Sequence, residues 1–367
     1  MPSLTLSMTT LEIPFKQGFS HATATRVCTE SVAVKVESPN GMVGVGEGCP
    51  RKYVTGETIQ TTKSFFDSHH QAWEQFSGLK DLKAWMTTNS ERIDTNPASW
   101  CALELAFLDR WGQEHGQSIE TFLNLKELTG KFQYSAVLGT ENLATFEKQA
   151  QEFAALEFCD FKIKVTDNLE SDRQKIEFLK HLPIKNLRLR LDANNLWKTA
   201  AEAVMYLKGL QYPFMAIEEP LQVGDYDGCR QISQQLGFPI ILDESFLRSD
   251  QLGSLQTDPK TWIINIRISK MGGILRSLAI AEEAKARGIP IIIGAQVGET
   301  SILTRAALTV ANQYRDILLA QEGAFGTYLL EHDITDTPLM FGKGGTLDPQ
   351  TLSGQPGLGL GACPRLD

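Results

Sequence analysis

Residues 158–165, FCDFKIKV, have the composition of a buried β-strand but carry two lysines, Lys162 and Lys164. Side chains alternate between the two faces of a strand, so the apolar residues share one face and the lysines share the other. Solvated lysines on a sheet edge are one explanation for such a pattern. The surroundings of this strand decide whether that explanation holds.

Seven further runs with strand character follow or precede this one, and helical stretches separate them. Together the eight runs are FQYSAVLG, FCDFKIKV, LRLRLDAN, FMAIEEPL, PIILDES, WIINIRISK, PIIIGAQ and DILLAQEG, all between residues 132 and 323. Eight parallel strands with crossover helices favour a closed (β/α) barrel. An open doubly wound sheet is the alternative, but the chain has no G-x-G-x-x-G motif after a strand.

The first third of the chain has a different pattern. SVAVKVES and VGVGEG flank the turn residues PNGM, which predicts an antiparallel hairpin over residues 31–48. In residues 96–116 a helix is expected to begin at Asn96-Pro97, with Trp100 and Phe107 on one apolar face. The last residues, 339–367, are rich in Gly and Pro, which predicts an irregular tail that returns to the N-terminal part.

Composition excludes several classes of protein. The 367 residues carry a net charge of −9, which disfavours nucleic acid or an anionic membrane surface as a partner. The start lacks the pattern of a signal peptide and no apolar run is long enough to span a bilayer, so we expect a soluble, cytoplasmic protein. The six cysteines form no C-x-x-C pair, which argues against a structural zinc site.

Three carboxylates are expected to meet at one end of the barrel. Both faces of a barrel strand are packed, so a charged residue late in a strand must point into the mouth. Alternation sends Asp192, Glu218 and Asp243 inward from three consecutive strands. Glu219 is expected to face away or lie on the loop, and Glu244 to point outward.

These carboxylates repel one another unless a cation joins them. Oxygen ligands at a half-open site suit Mg²⁺, with Mn²⁺ as a possible substitute. Individually, each carboxylate could instead cap a helix or pair with Arg188 or Arg190, but their common face and regular spacing favour a metal.

The lysines follow the same geometry. An internal barrel strand has no solvated edge, so Lys162 and Lys164 are expected to face the mouth, where a neighbouring lysine and a metal would lower the pKa of Lys164 towards that of a general base. Lys270 ends WIINIRISK. If Lys270 points inward, alternation places Ile264, Ile266 and Ile268 in the barrel centre and turns Asn265 and Arg267 towards the helices, unless a bulge intervenes.

The motifs KIKV, LDAN, IEEP, DES and SKMGG, in this order, resemble those of the enolase superfamily, in particular its mandelate racemase and muconate lactonizing enzyme branch. The resemblance extends over nearly the whole chain. It implies an α/β fold with an α+β capping domain over residues 1–126, a (β/α)7β TIM-type barrel over residues 127–338, and a tail over residues 339–367 that completes the cap.

The resemblance also implies a role for each site residue. Lys164 and Lys270 match the acid/bases on opposite faces of the substrate, and Lys162 matches the lysine that tunes Lys164 and holds the substrate carboxylate. Asp192, Glu218 and Asp243 match the Mg²⁺ ligands. The remaining candidates are expected to contact a small carboxylate substrate: His21, Tyr53, Glu299 and Glu322. An acidic residue near a helix N-terminus is an equally good explanation of Glu299.

The implied reaction removes a proton α to a carboxylate and forms an enediolate that Mg²⁺ stabilises. Two lysines on opposite faces suit racemisation or epimerisation, but similar sites serve cycloisomerases and β-eliminating enzymes such as o-succinylbenzoate synthase. Family members that epimerise dipeptides carry Asp-x-Asp at the end of strand eight. This chain has only Glu322 in AQEGAFG, which favours a muconate-type cycloisomerase over a dipeptide epimerase.

A barrel that binds a carboxylate as a sensor, without turning it over, is the non-enzymatic alternative. A complete set of acid/base and metal-binding residues argues against it, because a binding protein has no need of two bases. Members of this family are often oligomeric, so a homo-oligomer is expected.

Overall fold

The computed structural model describes residues 4–21, 24–139, 142–335 and 338–361, and it describes no side chains in residues 17–25. The N-terminal part contains five strands and five helices. They are β1 (Thr5–Leu11), β2 (Pro14–His21), β3 (Ala24–Cys28), β4 (Ser31–Glu37), β5 (Val43–Gly48), α1 (Ile59–Trp73), α2 (Leu79–Thr88), α3 (Ser90–Asp94), α4 (Pro97–His115) and α5 (Ile119–Phe122).

The remaining elements form the barrel and its attachments. They are β6 (Phe132–Gln133), β7 (Ala136–Leu138), α6 (Leu143–Ala155), β8 (Asp160–Lys164), α7 (Leu169–His181), β9 (Arg188–Asp192), α8 (Ala200–Leu210), β10 (Ala216–Glu218), α9 (Tyr226–Leu236), β11 (Ile240–Leu242), β12 (Trp262–Ile266), α10 (Ile268–Met271), α11 (Ile274–Ala286), β13 (Ile291–Ile293), α12 (Ser301–Gln313), β14 (Leu318–Gln321) and β15 (Thr346–Leu347). Within the described ranges, no helix is long and apolar enough to cross a membrane.

The predicted hairpin is confirmed: β4 and β5 pair antiparallel, and β1 joins β4 to complete a three-stranded sheet. The predicted helix is also confirmed, since α4 begins at Pro97. Every residue of α4 from Pro97 to Gly112 is buried, because the helix lies between the cap sheet and the barrel elements α10 and α11. This helix is therefore the centre of the cap.

Strand β5 lies directly on α4 because its alternate residues are glycines. A Cβ atom on Gly46 would lie 2.0 Å from the backbone oxygen of Ala102, and one on Gly48 would lie 2.0 Å from that of Ala98. A Cβ atom on Gly44 would lie 2.1 Å from the backbone oxygen of Ala106. The pattern VGVGEG thus provides a flat strand surface on which the helix backbone packs.

The barrel contains eight parallel strands in sequence order, from β7 to β14. The backbone N–H of Ser135, just before β7, donates to the carbonyl oxygen of Gln321 in β14 at 2.8 Å, which links the first strand to the last. The predicted (β/α)7β fold is confirmed, with one local difference. Between β11 and β12 the connection consists of 3-10 helices, Ser249–Leu255 and Pro259–Thr261, instead of an α-helix.

The barrel centre is apolar along strands β10 to β14. The residues that fill it are Ala216, Ile241, Ile263, Ile292 and Ala320, one from each of the strands β10 to β14. The expected placement of Ile264, Ile266 and Ile268 at the centre is wrong, because they belong to the outer core between strands and helices. The opposite parity therefore applies to β12.

The tail returns to the cap, as the fold class requires. The N–H of Leu358 donates to Asp109 Oδ1 of α4 at 2.7 Å, and the N–H of Ile119 donates to the carbonyl oxygen of Gly357 at 3.0 Å. Strand β15 pairs antiparallel with β6 at the base of the barrel.

A buried carboxylate fixes the cap to the barrel. Glu47 of β5 accepts hydrogen bonds from the N–H of Thr300 at 3.1 Å and from Thr300 Oγ1 at 2.6 Å, at the start of α12. Burial raises the pKa of Glu47 to about 7, although the bonds from Thr300 act in the opposite direction. Ionisation of this group is thus less favourable in the folded protein than in the unfolded chain.

We expect Gly46→Ala to lower the free energy of unfolding by about 3 kcal/mol, because the added methyl group must displace the backbone of α4. Urea denaturation followed by circular dichroism measures the change. Gly253→Ala is the control, since a Cβ at that position meets no atom within 4 Å. Equal stabilities of the two variants would contradict the proposed packing.

A second prediction concerns pH. The pKa of Glu47 is raised from 4.5 to about 7, so its protonated form stabilises the fold below pH 4.5, and this contribution is lost as the pH rises through 7. Between pH 4.5 and 8, the free energy of unfolding of Glu47→Gln should therefore fall by about 3 kcal/mol less than that of the natural protein. Urea titrations at both pH values measure this difference, and parallel losses would exclude the assignment.

Candidate active site

A cavity opens at the C-terminal ends of the barrel strands, with about 890 Å³ of empty space that includes the solvent at its open mouth, and Tyr53 of the cap contributes to its wall. Its charged lining consists of Lys162, Lys164, Asp192, Glu244, Arg267, Glu299 and Glu322. Its apolar lining comes mainly from the segments that follow β13 and β14, including Val297, Phe325 and Leu329. Seven charged groups thus share one partly enclosed cavity, where charge interactions are stronger than in bulk water.

Both lysines of β8 point into the mouth. Lys162 Nζ lies 2.6 Å from Glu322 Oε2 and 3.2 Å from Glu218 Oε2. Burial alone would lower the pKa of Lys162, but Glu218, Glu322 and Asp192 outweigh it and raise the pKa above its usual value. Lys162 is therefore a permanent cation in this arrangement.

Lys164 has weaker partners than Lys162. Its Nζ donates to Asn194 Oδ1 at 2.8 Å and lies 3.5 Å from Asp192 Oδ2. It is buried and lines the cavity, so its amine is positioned next to the space that a substrate would fill.

The three predicted metal ligands lie on adjacent strands. Asp192 and Glu218 are direct partners in the β9–β10 ladder, and Asp243 follows the end of β11. Arg267 and Lys270 both contact Asp243, Lys270 at 2.8 Å. Burial would raise the pKa of Asp243, but these two cations lower it to about 2.

Lys270 lies in the one-turn helix α10, since strand β12 ends at Ile266. Its Nζ donates to the carbonyl oxygens of Asp243 and Asn265, both at 2.8 Å. Burial lowers the pKa of Lys270, which favours the neutral amine. Strands β8 and β12 are four positions apart in the eight-stranded order, so Lys164 and Lys270 come from opposite sides of the barrel; Lys164 lines the cavity, whereas Lys270 is buried behind its wall.

Two residues were assigned to the wrong side by alternation. Arg267 and Glu244 both line the cavity, although the sequence pattern turned Arg267 towards the helices and Glu244 outward. Arg267 Nη1 donates to Gln296 Oε1 at 2.9 Å. Glu244 follows the end of β11, where the backbone no longer alternates. Arg267 keeps the inward parity of Ile263, and its side was predicted wrongly because the parity was set from Lys270, which lies in α10.

The remaining candidates lie in different environments. Glu322 is engaged by Lys162 and by Arg190, whose Nη1 lies 2.9 Å from Glu322 Oε1. Glu299 accepts the N–H of Gln296 at 2.6 Å, and burial raises its pKa to about 8. Tyr53 lines the cavity. His21 ends β2, but its side chain lies outside the described part of the chain.

The donor set fits Mg²⁺ in chemistry, although the side chains are not arranged around an ion. Among the described residues, no three Asp, Glu, His or Cys side chains form a cluster that could hold a metal, because lysines and an arginine contact the carboxylates. Carboxylates on neighbouring strands are nevertheless the ligands that Mg²⁺ prefers. Next to Glu218, the buried Oδ1 of Asn265 has no hydrogen-bond partner. The site therefore has oxygen atoms that a cation could satisfy.

Comparison with known proteins identifies relatives of this chain. The family model described as Enolase C-terminal domain-like matches residues 145–364. A hydrophobic dipeptide epimerase of Enterococcus faecalis is 29% identical over 329 residues, 86% of this chain and 88% of that protein. An N-succinyl-L-Arg/Lys racemase of Bacillus cereus is 24% identical over 306 residues, 82% of this chain and 81% of that protein.

A solved structure agrees with these relationships. The dipeptide epimerase from Enterococcus faecalis, complexed with Mg and the dipeptide L-Leu-L-Tyr, has a TM-score of 0.83 and 26% sequence identity, over 98% of this chain and 99% of that one. These relatives are epimerases and racemases, so they give no support to the expected muconate-type cycloisomerase. The chain belongs to the enolase superfamily, in its mandelate racemase and muconate lactonizing enzyme family, and is an isomerase of the racemase and epimerase type.

Proposed function

We propose that this protein is a Mg²⁺-dependent racemase or epimerase of N-acylated amino acids, dipeptides among them, with Lys164 and Lys270 as the two acid/bases. The observation that carries the proposal is that these two buried lysines come from opposite sides of the C-terminal end of the barrel, Lys164 in the cavity wall and Lys270 behind it against Asp243, with the carboxylates at the ends of β9, β10 and β11 between them. Inversion at a carbon requires a base on one face and an acid on the other.

In each direction one lysine acts as a neutral amine and the other as an ammonium ion. The amine removes the α-proton, so the C–H bond breaks and the proton moves to its Nζ. The ammonium ion then returns a proton to the opposite face of the same carbon. The lowered pKa of Lys270 suits a group that alternates between both forms.

Lys162 has a different role. Its raised pKa keeps it charged, so it cannot serve as a base near neutral pH. As a buried ammonium ion beside Lys164, it is suited to hold the substrate carboxylate and to favour the negative charge that develops there.

Asp192, Glu218 and Asp243 would hold the metal. When bound, Mg²⁺ would supply positive charge beside the substrate carboxylate, which acidifies the neighbouring C–H bond. Binding requires Arg267 and Lys162 to share these carboxylates with the ion, because both contact them in the present arrangement.

The substrate class is inferred from the relatives and from the cavity. The two relatives are named for substrates in which the nitrogen of an amino acid is acylated. The acyl group is a second amino acid in one case and succinate in the other. The lining after β13 and β14, which includes Val297, Phe325 and Leu329, suits an apolar side chain. Glu322 is already paired with Lys162 and Arg190, so it does not select for a free ammonium group.

We expect the wild-type protein to exchange the α-proton of L- and D-phenylalanine derivatives carrying N-acetyl, N-succinyl or L-alanyl groups in D₂O with Mg²⁺. Lys164→Ala should reduce exchange from one enantiomer by about 10³-fold, and Lys270→Ala should do so for the other. NMR measures the loss of the α-proton signal. The exposed Lys198 provides a control variant, Lys198→Ala, which should match the wild type. Equal loss of both enantiomers in each variant would overturn the two-face assignment.

Removal of the metal should abolish exchange. After treatment with EDTA we expect the rate to fall by at least about 10²-fold, and addition of Mg²⁺ should restore it. Asp243→Asn should weaken the binding of Mg²⁺, so that a higher Mg²⁺ concentration is needed to reach half of the maximal exchange rate. Exchange that continues at full rate in EDTA would exclude a metal-dependent mechanism.

A further inference from the structure

The backbone beyond Lys164 is held from behind by a buried carboxylate. Asp172 Oδ2, on α7, accepts a hydrogen bond from the N–H of Thr166 at 2.7 Å and a longer one from Thr166 Oγ1 at 3.3 Å. The preceding N–H, that of Val165, donates to the carbonyl oxygen of Asp192 at 3.0 Å. Two consecutive N–H groups after Lys164 are therefore fixed, one to β9 and one to α7.

Asp172 is itself firmly placed. It is 2% exposed, and the hydroxyl group of Tyr206 on α8 donates to its Oδ2 at 2.7 Å. Its Oδ1 lies 3.5 Å from Nζ of Lys175, which is 1% exposed. The cavity lining includes none of these three residues. Their interactions thus act on the loop after Lys164 and not on a substrate.

We propose that Asp172 is a positioning residue for Lys164: it fixes the start of the β8–α7 loop and so sets where the Lys164 amine stands in the cavity. This inference rests on the proposed function, in which Lys164 exchanges the proton on one face only. A displacement of the loop would therefore slow α-proton exchange from one enantiomer and leave exchange from the other unaffected, whereas racemisation, which uses both lysines, would slow equally in both directions.

Lys270 is supported by separate groups. Its Nζ is held by Asp243 and by the carbonyl oxygen of Asn265, and the hydroxyl of the adjacent Ser269 accepts the N–H of Cys49 from the cap at 2.7 Å. Asp172 contacts none of these residues. The two amines share a chain of ion pairs through Asp192 and Asp243, but the backbone support that Asp172 gives belongs to the Lys164 side alone, which makes a one-sided effect measurable.

The variants must avoid leaving a buried charge alone. Because Asp172→Ala would strand the ammonium group of Lys175, each Asp172 substitution is made together with Lys175→Met. Asp172→Ala removes the acceptor of the Thr166 N–H, whereas Asp172→Asn keeps an oxygen atom at that position. Lys175→Met alone is the reference.

Proton exchange in D₂O is measured separately for each enantiomer, using the phenylalanine derivative that the wild type exchanges fastest. One enantiomer is the one whose α-proton exchange Lys164→Ala reduces. Relative to Lys175→Met, Asp172→Ala should slow exchange from that enantiomer by about 10- to 100-fold and change exchange from the other by less than about twofold. Asp172→Asn should restore most of this loss, and KM should be unchanged.

Tyr206→Phe removes one donor from the same carboxylate without changing charge, and it covers the case in which the double variants do not fold. It should slow α-proton exchange from the same enantiomer by about two- to fivefold. Equal slowing of both enantiomers, or a one-sided loss that Asp172→Asn does not restore, would overturn the role of Asp172. Absence of exchange in the wild type would instead overturn the proposed function, and this inference with it.

Discussion

The burial of the Lys162 ammonium group among three carboxylates is the interaction on which the site depends. Glu218, Glu322 and Asp192 all lie within 4 Å of its Nζ atom, and all four side chains are almost fully buried. Removal of any one partner would leave a charge in a medium that solvates it poorly. The site therefore holds its charged groups in place by mutual compensation.

This compensation separates the roles of the lysines. Three carboxylates surround Lys162, which raises its pKa, whereas burial dominates at Lys270 and lowers its pKa. A permanent cation and an amine with a lowered pKa thus arise from the same residue type at one end of the barrel. The difference comes from the number of close carboxylates, which only the folded arrangement determines.

Alternation predicted the site where the residues lie inside a strand. Lys162 and Lys164 of β8 and Asp192 of β9 were placed correctly in the mouth. The method failed for Glu244, which lies beyond the end of β11, and for Arg267, because the parity of β12 was set from Lys270, which lies beyond that strand in α10. Periodicity carries no information past the end of a strand, and nothing in one sequence marks that end to within one residue. The packing of Gly46 against α4 could not be predicted either, because a pattern of glycines does not indicate which element packs against them.

The pairing of Lys162 with Glu322 shows a further limit of sequence reasoning and its structural cause. The two residues are 160 positions apart and extend from strands on either side of β7. They meet only because the hydrogen bond from Ser135 to Gln321 joins β7 to β14. In an open sheet Glu322 would lie at the opposite edge from Lys162, and neither charge would have this partner. Closure of the barrel therefore brings together the charges that compensate one another at the site.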